Sequence, residues 1–197
     1  GAYTDERVMP VGNLVPVPEG VSDRLAAAAL LKGMTAQVLL RRTYKVRKGT
    51  VVVVHAAAGG VGSILVQWAL HLGARVIAVV GSDAKATTVR AMGCKDVLIQ
   101  GRDDLAARVK ELTGGQGAHV VYDSVGKDTF FASLDSLRPL GLMVTYGNAS
   151  GPVPPMSIGT ALGMPKFATP NRARRTSSRL VVSSSEEGGG RRPLSLP

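Results

Sequence analysis

Residues 49–74 constrain the fold most, because they contain no Asp, Glu, Lys or Arg. The stretch reaches the ~20 residues that a bilayer-spanning helix needs. Its internal order argues against such a helix. Four consecutive valines, Val51 to Val54, open it and favour a strand. Gly59, Gly60 and Gly62 then interrupt it, and Gln67 and His71 lie in its second half. The stretch reads as a buried strand, a tight turn and a helix.

That unit repeats along the chain. Ser22 reads as an N-cap for a helix over 23–40, with Gly33 as a break between two helices. The apolar run 51–57 predicts a parallel strand covered on both faces. A helix over 61–72 follows, closed by Gly73. Strands are expected over 75–80, 96–99, 119–123 and 142–146. Helices are expected over 84–92, 103–112 and 129–137. Five strands alternating with helices predict an α/β fold with a doubly wound parallel sheet, a Rossmann domain. Right-handed crossovers place helices on both faces, and ligands bind beyond the carboxyl ends of the strands.

Composition sets the outer bounds. The 197 residues are 45% hydrophobic and 19% charged, which excludes collagen-like, coiled-coil and globally disordered chains. A single cysteine, Cys94, excludes an internal disulfide and a Cys-rich zinc site, and suits a reducing compartment, the cytoplasm. The start is polar, with no apolar signal core, and lacks an initiator Met, which reads as a fragment or processed product.

The net charge of +10 divides unevenly. Residues 1–163 hold 17 Lys/Arg and 12 Asp/Glu; residues 164–197 hold 7 and 2. Each part therefore carries +5. A mildly basic body suits an anionic small molecule, and a strongly basic tail leaves nucleic acid open as a partner. The tail runs in blocks of Ser, Glu, Gly and Arg, and only Leu180–Val182 is apolar and consecutive. Such a composition buries too little surface to offset ordering entropy, so 163–197 is expected to be disordered.

The chemistry centres on Ala57-Ala58-Gly59-Gly60-Val61-Gly62, between the expected first strand and its helix. It fits the G-x-G-x-x-G dinucleotide fingerprint, with Ala57 in the first glycine's place. A pyrophosphate needs a bare backbone and free N–H groups at a helix N-terminus. Gly59 permits the approach, and Gly62 lets the helix pack on the strand. The end of the second strand distinguishes the cofactors. NAD sites place an Asp or Glu there for the ribose 2′-OH. Here Gly81 stands at the strand end, followed by Ser82, Asp83 and Lys85. That order favours NADP, with Ser82 and Lys85 on its 2′-phosphate and Arg90 and Arg102 as secondary candidates; Asp83 reads alternatively as a helix cap. Two further strand ends, Asp123-Ser124-Val125-Gly126 and Tyr146-Gly147-Asn148, should line the same crevice. His55, His71 and His119 lack metal spacing and read as structural. No Ser-His-Asp arrangement or pair of carboxylates with a role is visible.

Several motifs then act together. His55-Ala56-Ala57-Ala58-Gly59-Gly60-Val61-Gly62, Lys32-Gly33-Met34-Thr35-Ala36-Gln37, Val121-Tyr122-Asp123-Ser124-Val125-Gly126 and Tyr146-Gly147-Asn148 resemble the zinc-independent, zeta-crystallin-like quinone oxidoreductases. These belong to the medium-chain dehydrogenase/reductase superfamily. The likeness runs from residue 1 to about 162. It implies NADPH as cofactor and a small quinone-like substrate. It also implies cofactor contacts at Thr35, Ala58, Gly59, Gly60, Val61, Gly62, Gly81, Ser82, Lys85, Ser124, Tyr146, Gly147 and Asn148. It names no catalytic residue in this chain and no metal ligand.

The resemblance also implies a domain plan. Residues 1–20 would be the remnant of a GroES-like domain and its linker, 21–162 the NADP-binding domain and 163–197 the tail. Relatives often place a tyrosine near the adenosine phosphate, where this chain reads Leu98-Ile99-Gln100-Gly101. Without most of the GroES-like domain, weak NADPH binding and slow quinone reduction are expected, and the fifth strand should expose an edge. A homodimer is open; a membrane partner is not expected. The alternatives are an enoyl reductase of the same superfamily or a non-enzymatic NADP- or nucleic-acid-binding protein. Aromatics at 4% argue against base stacking.

Overall fold

A computed structural model describes residues 3–155 and 179–182. Six parallel strands form one sheet: β1 Val51–Val54, β2 Arg75–Val80, β3 Asp96–Ile99, β4 Ala118–Asp123, β5 Leu137–Thr145 and β6 Arg179–Val182. Their order is β3-β2-β1-β4-β5-β6. The order of strand addition reverses between β1 and β4, which creates the switch point of a doubly wound sheet.

The valine run occupies the centre because both faces of β1 are covered. Val52 and Val54 join a core with Ala36 of α1 (Asp23–Gln37), Leu65 of α2 (Gly60–His71) and Val89 of α3 (Asp83–Ala91). Val53 points the other way, against a core with Val109 of α4 (Leu105–Leu112) and Phe130 of α5 (Phe130–Asp135). Val52, Val53 and Val54 are each 0% exposed. Each such side chain contributes on the order of 1.5–3 kcal/mol by burial.

Several expectations are corrected. The strand expected over 51–57 ends at Val54, since Ala56 takes a positive φ of 48°, and the helix expected over 129–137 is confined to Phe130–Asp135. Helix α1 runs through Gly33 without a break, capped at its start by the Ser22 hydroxyl, which accepts from the Leu25 N–H. Glycine weakens a helix, but Ala36, Leu39 and Leu40 are buried against the sheet and hold this one. The helix then widens into a π-helical turn, Val38–Thr43. Tyr122, fully buried on β4, donates its hydroxyl to the Leu39 carbonyl there at 2.7 Å. Burial pushes the Tyr122 phenol pKa up, so it stays a donor.

Strand β5 begins five residues earlier than expected, at Leu137, because Leu137 already pairs with Ala118 before the register shifts. The disorder expected for the tail does not extend to Arg179–Val182. That segment pairs with β5, Leu142 to Thr145 facing Arg179 to Val182, so the fifth strand is not an edge there. A short strand ending in two valines can pair with the open N–H and C=O groups of a sheet edge. The rest of the tail expectation, and the domain limit at 162, lie outside the described residues.

One buried network ties the ends of β1 and β4 to α5 at the switch point. Asp123, at the end of β4, is 0% exposed. Its carboxylate accepts from the Val125 and Gly126 N–H groups at 2.7 and 3.1 Å. It also accepts from the Thr129 and Ser133 hydroxyls at 2.7 and 3.0 Å. With its proton given to Asp123, the Ser133 oxygen receives the Nε2–H of His55, 2.8 Å away. His55 Nδ1 is then a bare lone pair, and it has no partner among the described residues. Burial holds the His55 pKa below 6.5, against the opposing pull of Asp123. Between that lowered value and 6.5 the unfolded chain takes up a proton that the folded chain refuses. Stability is therefore complete above pH 6.5 and falls as pH drops below it. Denaturant midpoints measured at pH 7.5 and 5.5 should fall more in the wild type than in His55→Asn. An equal fall would assign the pH response to other groups, such as His119, whose pKa burial and Arg138 also lower.

Candidate functional site

All strands run in one direction, so the segments after β1, β2, β4 and β5 meet at one edge of the sheet. After β1, Ala56 adopts a positive φ of 48°, which turns the chain sharply toward α2. The Gly59 N–H donates to the Ala56 carbonyl at 2.8 Å, and Gly59 caps the helix without a side chain. A Cβ on Gly62 would lie 2.3 Å from the Ala56 oxygen and 2.9 Å from Ala57 Cα. Only glycine lets the helix start so close to the strand. A Cβ on Gly59 would meet the same oxygen at 3.0 Å.

The first α2 hydrogen bond to the turn is made by Ser63 N–H, to the Gly59 carbonyl. The N–H groups of Gly60, Val61 and Gly62 therefore have no acceptor among the described residues. Three unpaired amides at the positive end of a helix dipole form a cradle for an anion. The bare backbone and these free donors fit a dinucleotide's pyrophosphate.

The other cofactor-binding candidates distribute around that turn. Gly81 is exposed, and a Cβ there would meet nothing within 4 Å. The Ser82 hydroxyl caps α3 by accepting from the Lys85 N–H at 3.4 Å, so its own proton remains free to donate. The cap is Ser82, not Asp83. Asp83 instead receives both ends of the Arg102 guanidinium, at 3.0 and 2.9 Å. Arg90 lies in the last turn of α3, at the far end of that helix from Ser82.

Asp123 shapes the β4 end. By fixing Val125 and Gly126 it leaves the Ser124 and Val125 carbonyls to receive the Ala149 and Ser150 N–H groups at 3.1 and 2.8 Å. The β4 and β5 loops are thereby joined. A Cβ on Gly147 would lie 2.9 Å from the Ser124 carbonyl, so this glycine first serves the contact between the two loops. The side-chain amide of Asn148, exposed at that edge, has no partner among the described residues. Burial pushes the Tyr146 phenol pKa up, against the opposing Ser124 hydroxyl.

Thr35 lies on α1, which packs on α2; its hydroxyl donates back to the Leu31 carbonyl at 2.8 Å. One turn earlier on the same face stands Lys32, which the sequence reading had not placed in the site. Its stem lies over Gly60, with Cε 2.8 Å and Nζ 3.5 Å from where a Cβ would be. It brings an ammonium beside the unpaired amides. The i, i+3 spacing from Thr35 was the signal for it.

Ser133, His55 and Asp123 do come together in space. Ser133 gives its proton to Asp123 rather than to the histidine, and all three side chains are buried. The arrangement is a structural tie, not a nucleophile with its base. A cleft of about 200 Å³ opens beside His55, walled by Val79, Leu98 and Leu105 and rimmed by Gln100, Asp103 and Asp128. His71 lies exposed in the last turn of α2, and His119 Nδ1 accepts from the Val51 N–H. No group of three or more His, Cys, Asp or Glu among the described residues is placed to hold a metal ion. No helix among them is long and apolar enough to cross a membrane.

Comparison with known proteins agrees with this geometry. A family model described as zinc-binding dehydrogenase matches residues 60–180. The chain is 49% identical to a 2-haloacrylate reductase of a Burkholderia species over 166 residues, 83% of this chain and 50% of that one. The quinone oxidoreductase of Pseudomonas syringae superposes with a TM-score of 0.82 at 44% identity, over 93% of this chain and 53% of that one. The Escherichia coli quinone oxidoreductase complexed with NADPH gives 0.71 at 46% identity, over 74% and 44%. The chain spans about half the length of the curated relatives it matches. It belongs to the zinc-binding dehydrogenase family.

Proposed function

We propose that this chain is the NADPH-binding part of a reductase that delivers hydride to a quinone or a similar conjugated carbonyl. The observation that carries the reading is the cradle of unpaired Gly60, Val61 and Gly62 amides beside a β2 end that offers Ser82 and Lys85. Two kinds of relative support the substrate class. A quinone and a 2-haloacrylate both present a carbon–carbon double bond conjugated to a carbonyl group, which accepts hydride. Bound NADPH would supply that hydride, and the protein's part is to hold and orient it. The α2 amides and Lys32 would hold the pyrophosphate. Ser82 and Lys85 would hold the 2′-phosphate. Ser124, Gly147 and Asn148 would position the nicotinamide end, with Thr35 on the facing helix.

Closure over the reacting end excludes water and fixes geometry, and a displacement of about 1 Å can cost a hundredfold in rate. In the relatives, the half that this chain does not span would supply that closure. NADPH should accordingly bind to the chain alone, but reduce a quinone far more slowly than with a full-length relative. The cytoplasm is the proposed setting, since the buried, unpaired Cys94 suits a reducing compartment.

Two substitutions separate folding from binding. Gly62→Ala forces a Cβ into the Ala56 carbonyl and should cost about 1–3 kcal/mol of stability, with loss of NADPH binding. Gly81→Ala meets no protein atom, so its melting temperature should stay at the wild-type value while NADPH binding weakens. Wild-type NADPH affinity in Gly81→Ala would place the cofactor elsewhere. Lys85→Ala removes one charged hydrogen-bond donor and should weaken NADPH by about tenfold, leaving NADH unchanged, as read by nucleotide fluorescence titration. An equal loss for both nucleotides, or none, would remove Lys85 from the phosphate site.

A further inference from the structure

We propose that Arg102 is a further selectivity residue for the cofactor's 2′-phosphate, beside Ser82 and Lys85, and that Asp83 holds its guanidinium until the phosphate displaces it. The inference rests on the NADPH-binding reading above. It starts from the turn after β3, which presents Arg102 rigidly. Gly101 takes a φ of 81°, and the N–H groups of Arg102 and Asp103 both donate to the Ile99 carbonyl, at 3.1 and 3.0 Å. The Asp103 carboxylate accepts from the Ile99 N–H at 2.6 Å and closes the turn. Ile99 pairs with Val80 in the sheet, so this turn stands directly beside Gly81 and Ser82.

From there the guanidinium reaches the first turn of α3 and grips Asp83 through both terminal nitrogens. A planar fork that holds a carboxylate at two points holds a phosphate in the same way. The pair is exposed on both sides, at 63% for Arg102 and 73% for Asp83. Water screens such a pair, so a doubly charged phosphate can exchange for the carboxylate. The approach past Gly81 is open, because apart from its two chain neighbours no residue comes within 4 Å of where a Gly81 Cβ would be.

Three donor-bearing residues then follow or flank the open end of β2: Ser82 with its free hydroxyl proton, Lys85 in the first turn of α3, and Arg102 on the neighbouring turn. One carboxylate, Asp83, stands between Ser82 and Lys85 in the chain and holds Arg102. Its position one residue into the helix distinguishes it from an acid at the strand end, which would hold a ribose diol. Held by Arg102, it offers no free acceptor to the ribose of NADH. It competes with the phosphate for Arg102, but keeps the arginine aimed at the place the phosphate would take.

The test is titration of the chain with NADPH and with NADH, followed by nucleotide fluorescence, for the wild type, Arg102→Ala and Asp83→Asn. Thermal melting without nucleotide establishes that both variants fold. Arg102→Ala should weaken NADPH at least tenfold and change NADH less than twofold. Asp83→Asn should tighten NADPH several-fold, because the competing carboxylate is gone. Loss of both nucleotides together in Arg102→Ala, or weaker NADPH binding in Asp83→Asn, would overturn the exchange. A wild type that prefers NADPH while Arg102→Ala keeps the same preference would overturn this inference alone. A wild type that binds neither nucleotide would overturn the NADPH-binding reading and this inference with it.

Discussion

The approach of Gly62 to the Ala56 carbonyl is the contact on which the site depends. A helix can begin this close to a strand end only where no Cβ intervenes. The closeness starts α2 directly beyond the end of β1, so the first amides of the helix, which have no internal acceptors, stand at the strand end. The same closeness requires Ala56 to take a left-handed conformation, a local strain of the kind found at ligand clamps. Around that contact the β1 valines are enclosed on both faces, so the turn is anchored by the deepest part of the core.

Asp123 performs the complementary task on the other side of the switch point. One buried carboxylate with four donors sets the β4 loop, begins α5 through Thr129 and reaches His55 through Ser133. A buried charge is tolerated where hydrogen bonds replace its water, and four of them do so here. The His55 ring thus links the end of β1 to α5, and the phosphate turn that follows His55 inherits a fixed origin. The β4 and β5 loops, joined by backbone hydrogen bonds, form the far wall of the crevice.

Much of this was legible in the sequence because it is local. The strands at 75–80 and 96–99 were read to the residue, since both are short apolar runs bounded by turn residues. The glycine turn is legible from its spacing together with its place between an apolar strand and a helix. The remainder depends on distance along the chain. His55 and Ser133 are 78 residues apart, and no pattern in either neighbourhood signals their hydrogen bond. The bidentate hold of Arg102 on Asp83 spans 19 residues and two elements. Gly33 was read as a break by its intrinsic propensity, which the packing of α1 on α2 and the sheet overrides. The strand at Arg179–Val182 was missed because its composition is that of a disordered tail; the open edge of β5 supplies what the local sequence lacks.

The central claim is that anion recognition here begins with three backbone amides rather than with a charged side chain. Amide proton and nitrogen shifts during NADPH titration of the isotopically labelled chain test it most directly. The account expects the signals of Gly60, Val61 and Gly62 to move together and to saturate at the same nucleotide concentration. NADPH binding that leaves those three signals unmoved, while others shift, would contradict it.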